Sequence, residues 1–155
     1  GIKIACEAAK AAGVPLKVIG HGDVSLVTYG EYLGPLSNKE RNEVVAHASG
    51  MFCPTIYLEP FNQVAVEAQM SGVPVICTDQ GGFTETVEQD RSGHRGNLFR
   101  DFKAAAELAA WGTYFDRSYI RERAHRLYGM ETAQWAYAAY IARLETLHGR
   151  GWYAE

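Results

Sequence analysis

Short apolar runs rich in β-branched residues alternate along this chain with segments of helical periodicity. Several of these runs end at Gly or Pro, as strands of a parallel sheet commonly do before a loop. The alternation is typical of βα units, so the sequence predicts an α/β fold with a Rossmann-like parallel sheet and helices on both faces. The predicted strands are Leu16–Gly20, Val24–Leu33, Met51–Cys53 and Val73–Cys77, and the accompanying helices are Ile2–Ala12, Asn38–Ala48, Gln63–Met70 and Phe83–Gln89.

Helix-end signals support these boundaries. Gly13 closes the first helix, and Ser37 with Glu40 three residues later forms a capping box ahead of the second. In the C-terminal third, helices Asp101–Ala110 and Asp116–Leu127 each begin at an Asp that is suited to cap them. The chain therefore ends in a predominantly helical segment.

A long final helix is predicted from Met130 onward, with its large residues on one side. Aromatic packing is the expected role of the tryptophans in the helical segment. The stripe consists of Met130, Gln134, Tyr137, Tyr140, Ile141, Leu144 and Leu147, and the tryptophans are Trp111, Trp135 and Trp152.

The composition is that of one soluble globular domain. The chain has 155 residues, of which 47% are apolar, and it contains no long linker. We expect one domain over residues 1–148 and a frayed tail over residues 149–155. The chain opens with Gly rather than Met and shows no signal-peptide pattern, so we expect it to be part of a longer protein.

Charge and cysteine usage exclude several function classes. A net charge of -3 without a cluster of Lys and Arg makes nucleic acid an unsuitable partner, because phosphate neutralisation requires clustered cations. No apolar segment approaches the roughly 20 residues that span a bilayer. Three widely spaced cysteines indicate neither a disulfide framework nor a zinc site, so a reducing, cytoplasmic location is expected.

The segment that carries chemistry runs from Pro54 to Ala68 and is predicted to be a strand end, a loop and a helix N-terminus. Such loops at the carboxyl ends of parallel strands are where α/β sheets bind ligands. Asn62 is a suitable N-cap, and the amides after it form a site for a phosphate or carboxylate. Glu59 and Glu67 flank this helix end, where they are better suited to accept hydroxyls than to face phosphates.

Two ordinary interpretations stand beside this one. From spacing alone, a solvated Glu59 and an early-turn Glu67 stabilised by the helix dipole are the better explanation. Gly81 and Gly82, in the loop after the Val73–Cys77 strand, allow either a close approach to a ligand or a simple tight turn.

Taken together, the motifs resemble the C-terminal domain of GT-B glycosyltransferases, most closely the retaining family 4 (glycosyl transferases group 1). The resemblance covers nearly the whole chain and keeps the order and spacing of the family's elements. The motifs are Tyr32-Leu33-Gly34, Pro54-Thr55, Glu59-Pro60-Phe61, Glu67-Ala68, Ser71-Gly72-Val73-Pro74-Val75-Ile76, Gly81-Gly82 with Glu85, and Gly129-Met130-Glu131.

This resemblance implies a site for a nucleotide-sugar donor, such as a UDP- or GDP-sugar, and transfer of a hexosyl group with retention of configuration. Glu59 would be the catalytic carboxylate that binds sugar hydroxyls, and Glu67 would accept from the ribose. The family resemblance implies no metal and no further cofactor. The remaining donor-binding positions would be Phe61, Asn62 and Gln63 through backbone amides, Gly81 and Gly82 beside the sugar, and the backbone at Leu36 facing the base.

The chain also departs from the family pattern. Asn62 stands where Gly is common, which narrows the space beside the phosphates. The family's first strand, with an Arg and a Lys for the diphosphate, is absent, as is the N-terminal domain that binds the acceptor, whether sugar, lipid or protein. We therefore expect this fragment to be inactive by itself, and any membrane association to be peripheral and to occur through the absent domain.

Two other functions remain open at this point. Another GT-B enzyme, such as a nucleotide-sugar epimerase, shares the fold but needs further acid–base residues in the cleft. A non-catalytic fragment that binds nucleotides would also fit the same motifs.

Overall fold

A computed structural model describes residues 1–97, 99–110 and 112–148 of the chain. Helices and short strands alternate along it, as the sequence predicts. The strands are β1 (Lys17–Ile19), β2 (Glu31–Gly34), β3 (Met51–Cys53), β4 (Val75–Cys77) and β5 (Gly93–Arg95). The helices are α1 (Ile2–Ala12), α2 (Asn38–Ala46), α3 (Gln63–Met70), α4 (Phe83–Thr86), α5 (Phe99–Ala110), α6 (Arg117–Tyr128) and α7 (Met130–His148).

All described strand pairs are parallel, which confirms the predicted α/β class. The ladders form two sheets, one of β1 and β2 and one in the order β3-β4-β5. Within the described residues, β1 pairs only with β2 and β3 only with β4, so each of these two strands leaves one edge without a strand partner. That the family's first strand belongs in this position stays a prediction.

Helices cover both faces of the larger sheet, as the alternation of side chains along β4 shows. Ile76 belongs to a core cluster with Ala8 of α1 and Phe102 of α5. Its neighbours Val75 and Cys77 point the other way, into a cluster with α3 and α4. Successive strand residues face opposite sides of a sheet, so one strand of three residues supports two cores.

Most predicted boundaries agree with the structure to within two residues. β3 and α3 have the predicted bounds, and the capping box of Ser37 and Glu40 is present at the start of α2. The caps at Gly13 and Asp116 are confirmed as well. Asp101 is not a cap, because α5 begins two residues earlier and places this carboxylate in its first turn.

One strand prediction was wrong, and one strand was not predicted. The run Val24–Leu33 is not one strand: residues 24–26 form a 3-10 turn, and β2 starts only after Gly30. At Gly30, with φ of 94°, a Cβ would lie 2.5 Å from the Leu16 carbonyl oxygen, so the chain turns sharply there. Strand β5 was missed because Gly, His and Arg carry no apolar signal.

The final helix α7 shows the predicted stripe, but the stripe is largely exposed. Trp135 is 78% exposed and Met130 is 74% exposed, while Tyr137, Tyr140 and Ile141 are exposed as well. The expected packing of Trp135 was therefore wrong. Trp111, Trp152 and the tail 149–155 lie outside the described residues.

Candidate functional site

Two loops at the carboxyl ends of β3 and β4 bind each other through backbone and side-chain hydrogen bonds. The Gly82 amide donates to the Glu59 carbonyl at 2.7 Å, and Gln80 Nε2 donates to the Tyr57 carbonyl at 3.2 Å. The hydroxyls of Thr55 and Thr78 lie 3.2 Å apart at the strand ends. The Glu59 loop is thus fixed from the neighbouring strand rather than by its own contacts alone.

The glycine pair makes this contact possible. A Cβ on Gly81, whose φ is 58°, would lie 2.4 Å from the Glu59 carbonyl oxygen. A Cβ on Gly82 would lie 2.5 Å from the Pro60 carbonyl oxygen. The close approach of these glycines is therefore to the 59–61 backbone, and their approach to a sugar stays a prediction.

The Glu59 carboxylate collects several neutral donors. Tyr57 Oη donates to Oε2 at 2.7 Å, and Asn62 Nδ2 lies 3.3 Å from the same oxygen. The hydrogen bond from the Tyr57 hydroxyl is the main reason why the pKa of Glu59 lies below its ordinary value; it outweighs desolvation, which raises the pKa, and Phe61 and Asn62 lower the pKa by smaller amounts. The carboxylate is ionised at neutral pH and is held in one orientation.

Asn62 is the N-cap of α3, as predicted from the sequence. Its Oδ1 accepts from the Ala65 amide at 2.9 Å, and its backbone has the left-handed φ of 63°. Asn is one of the few non-Gly residues that readily adopts this region, which explains how it replaces Gly here. The amides of Gln63 and Val64 have no carbonyl of the same helix four residues before them to donate to. They therefore remain available at the positive end of the helix dipole.

Glu67 lies in the second turn of α3 and forms an ion pair that the sequence did not predict. Arg41 Nη2 of α2 donates to Glu67 Oε2 at 2.9 Å, with both side chains about one-third exposed. Because α2 follows Leu36 and β2, this pair joins the carboxyl end of β2 to the helix after β3. Leu36 itself is half-buried, and its place beside a nucleotide base stays a prediction.

An aromatic contact bounds the other side of the loop. The ring of Phe61 packs edge-on against Tyr128 of α6, with ring centroids 5.8 Å apart. Phe61 is nevertheless 45% exposed, and Ile56 and Leu58 of the same loop are more exposed still. The loop therefore presents apolar surface beside the carboxylate of Glu59.

The cysteines at the strand ends have a packing role. Cys53 and Cys77 are paired in register on β3 and β4, and both are buried. Burial raises the pKa of Cys53 to about 12 and the pKa of Cys77 further, so both remain thiols at neutral pH. Neither is suited to act as a nucleophile.

The described part of the chain shows neither a cluster of metal-binding side chains nor a membrane-spanning helix. No group of three or more His, Cys, Asp and Glu side chains within residues 1–97, 99–110 and 112–148 could hold a metal ion. In the same ranges, no helix has both the length and the apolar character that crossing a bilayer demands.

Comparison with known proteins identifies the family. The sequence pattern of the family described as Glycosyl transferases group 1 matches residues 30–111, which include both sets of loops described above. The chain belongs to this family. Its D-inositol 3-phosphate glycosyltransferase relative from Nocardia farcinica is 33% identical over 123 residues, covering 74% of this chain and 27% of that protein. A probable sucrose-phosphate synthase from Thermosipho melanesiensis is 34% identical over 80 residues, which are 50% of this chain and 19% of that protein.

Solved structures confirm the fold of a GT-B C-terminal domain. Anabaena HepE, crystallised with UDP and glucose, has a TM-score of 0.76 at 18% identity, over 92% of this chain and 45% of that one. Sucrose-phosphate synthase from Thermosynechococcus elongatus has a TM-score of 0.74 at 22% identity, over 94% of this chain and 43% of that one. This chain thus spans about a quarter or less of the length of these two curated relatives, and under half of the length of the two solved structures.

Proposed function

We propose that this domain binds the nucleotide-sugar donor of a retaining glycosyltransferase that moves a hexosyl group from a UDP- or GDP-sugar to an acceptor. One observation carries the proposal: an ionised carboxylate, Glu59, is fixed directly before the amino end of α3, where unpaired amides and the helix dipole favour an anion. A hydroxyl-binding group beside a phosphate-binding helix end matches the two parts of a nucleotide sugar.

The diphosphate would lie against the first turn of α3. As the bond between the anomeric carbon and the phosphate oxygen breaks, negative charge grows on the leaving nucleoside diphosphate. The amides of Gln63 and Val64 are oriented to stabilise that charge without reorganisation, and Asn62 keeps the helix end in place by binding Ala65. By the family resemblance, the Phe61 and Asn62 amides, which also act on the Glu59 carboxylate, would lie near the sugar.

The nucleoside would extend towards α2. Glu67 would accept from the ribose hydroxyls while Arg41 holds one of its two oxygens, and the backbone at Leu36 would face the base. Arg41 also brings a positive charge to a site whose two predicted carboxylates would otherwise repel a diphosphate. The UDP and glucose in the Anabaena HepE crystal agree with a nucleotide-sugar donor for this chain.

The rest of the transferase would lie in the parts of the relatives that this chain does not span. We propose that they supply the acceptor domain, for a sugar, lipid or protein, and the further cations for the diphosphate, so that residues 1–155 alone do not transfer sugar. Following the family resemblance, we propose that the full-length enzyme is cytoplasmic and needs no divalent metal; its activity, measured with excess EDTA, would test the second point.

Calorimetric titration with UDP and GDP tests the donor site directly. We expect one of them to bind the chain, and Glu67→Ala to weaken that binding about tenfold, because a hydrogen bond to a charged group is worth roughly 1.5–3 kcal/mol. Glu122→Ala is the matched control, since this exposed carboxylate lies on α6. Absence of heat with either nucleotide, or equal effects of the two variants, would overturn the proposal.

A further inference from the structure

Tyr57 is exposed in a way that a packing role does not explain. Its side chain is 59% exposed, and the neighbouring Ile56 and Leu58 are more exposed, so its ring contributes little to either core cluster. Its hydroxyl nevertheless makes a short hydrogen bond, 2.7 Å to Glu59 Oε2. An exposed bond of this kind adds little to folding stability, so orientation of the carboxylate is the effect that remains.

The backbone around this pair is fixed at both of its ends. Gln80 Nε2 donates to the carbonyls of Tyr57 and Thr55, at 3.2 and 3.4 Å, and the Gly82 amide donates to the carbonyl of Glu59. Within this anchored segment, the Tyr57 hydroxyl reaches the carboxylate two residues further along the chain. The hydroxyl therefore meets the carboxylate without further packing of the ring.

The donors are unevenly distributed over the carboxylate. Both side-chain donors, Tyr57 Oη and Asn62 Nδ2, reach the same oxygen, Oε2. The Phe61 and Asn62 backbone amides act on the carboxylate as well, but a carboxylate has about four lone-pair sites, so acceptor capacity for a ligand remains at Oε1. The Tyr57 bond turns this second oxygen to one side of the loop, because rotation about the terminal bond would break it.

We propose that Tyr57 is a positioning residue that holds Glu59 so that Oε1 accepts hydroxyls of the transferred sugar. This rests on the proposed function, since it takes Glu59 to be the sugar-binding carboxylate. Tyr57 then determines how much the sugar adds to donor binding, whereas the nucleotide part of the donor binds through α3 and Glu67 without it. The lowered pKa of Glu59 agrees with this role, because it reports the same hydrogen bond.

The test compares Tyr57→Phe with wild type by calorimetry, using UDP, UDP-glucose, UDP-N-acetylglucosamine, GDP and GDP-mannose. For each donor, the ratio of its affinity to that of its free nucleotide measures the contribution of the sugar. For the donor whose sugar adds most to affinity in wild type, we expect this ratio to be on the order of tenfold lower in Tyr57→Phe. This corresponds to the loss of about one hydrogen bond to a charged group. Nucleotide affinity and melting temperature are expected to stay unchanged.

Tyr29→Phe is the matched control, because the Tyr29 hydroxyl also donates one hydrogen bond. Its acceptor is the carbonyl of Val14, just after α1, at 2.9 Å. It should leave the sugar contribution as it is. An unchanged ratio in Tyr57→Phe, or a wild type for which no sugar adds affinity, would overturn the positioning role. Failure of both nucleotides to bind wild type would instead overturn the proposed function.

Discussion

Glu59 and Glu88 are both carboxylates that accept a short hydrogen bond from a tyrosine, yet their surroundings differ. Glu88 accepts from the Tyr119 hydroxyl at 2.6 Å and also forms ion pairs with Arg91 and Arg123. Among the described residues, the side-chain donors to Glu59 are the neutral groups of Tyr57 and Asn62. The charge of Glu88 is compensated by protein cations, while that of Glu59 is left for other partners.

The comparison separates a structural carboxylate from one suited to a ligand. Arg123, of which only 11% of the side chain is exposed, also donates to the Thr86 carbonyl, so the Glu88 cluster ties α6 to the end of α4. Among the residues that the structure describes, no ion pair connects the Glu59 side chain to another element, and its loop is held through backbone atoms and Gln80. Removing Glu88 or Glu59 should therefore affect different properties of the protein.

The largest expected effect on stability and binding comes from replacing Gly81, the glycine that contacts the backbone of the Glu59 loop. Gly81→Ala places a Cβ 2.4 Å from the Glu59 carbonyl oxygen at a left-handed φ, so the loop must move. We expect a loss of about 2 kcal/mol or more in the free energy of unfolding, measured with urea, together with loss of nucleotide binding. Gly22→Ala, where a Cβ meets nothing within 4 Å, should change neither property. Equal stability of the two variants would show that the loop is not held as described.

Removal of a cation from the Glu88 cluster comes next. Arg123→Ala deletes the ion pair to Glu88 and the hydrogen bond to Thr86, which should lower the free energy of unfolding by about 1–3 kcal/mol. Nucleotide affinity should stay unchanged, because these hydrogen bonds and ion pairs join α6 to the end of α4 and involve no residue of the 57–67 segment. Glu59→Gln should show the reverse: little change in the urea midpoint, but weaker binding of the nucleotide sugar. Loss of both properties in either variant would remove the distinction between the two carboxylates.

The comparison also shows what the sequence could predict. The loop-to-helix pattern predicts Asn62 as the N-cap of α3, which the structure confirms. The roles of Glu59, Glu67 and the glycine pair come from the family resemblance and stay predictions. Arg41 was not predictable, because its pairing with Glu67 depends on how α2 packs beside α3. The break at Gly30 and the polar strand β5 were missed for a related reason, since tertiary contacts and not local apolar patterns define them.

A smaller effect is expected in the pH dependence of the stability that Glu88 contributes. The Tyr119 hydroxyl, and next the two arginines, lower the pKa of Glu88 below its ordinary value of 4.5 in the folded state. Its contribution to stability is therefore present above pH 4.5 and is lost as the pH falls through the folded value. We expect wild type to be more stable than Glu88→Gln at pH 7, and this difference to shrink by pH 3.5, in urea unfolding at both values. A difference that stays constant with pH would show that the charge of Glu88 has no part in it.

The smallest expected effect on stability is at Arg41, and this prediction extends the comparison to a third carboxylate. The Arg41–Glu67 pair is about one-third exposed, and such surface pairs contribute roughly 0–1 kcal/mol, so Arg41→Ala should hardly change the urea midpoint. If Glu67 binds ribose and Arg41 offsets its charge beside the diphosphate, nucleotide affinity should nevertheless fall several-fold, and more at low salt because exposed charges are screened. Lys39→Ala, on the exposed first turn of the same helix, is the control for a general loss of positive charge. If Arg41→Ala and Lys39→Ala bind the nucleotide equally well, Glu67 is a structural carboxylate like Glu88, and its ion pair with Arg41 has no part in binding.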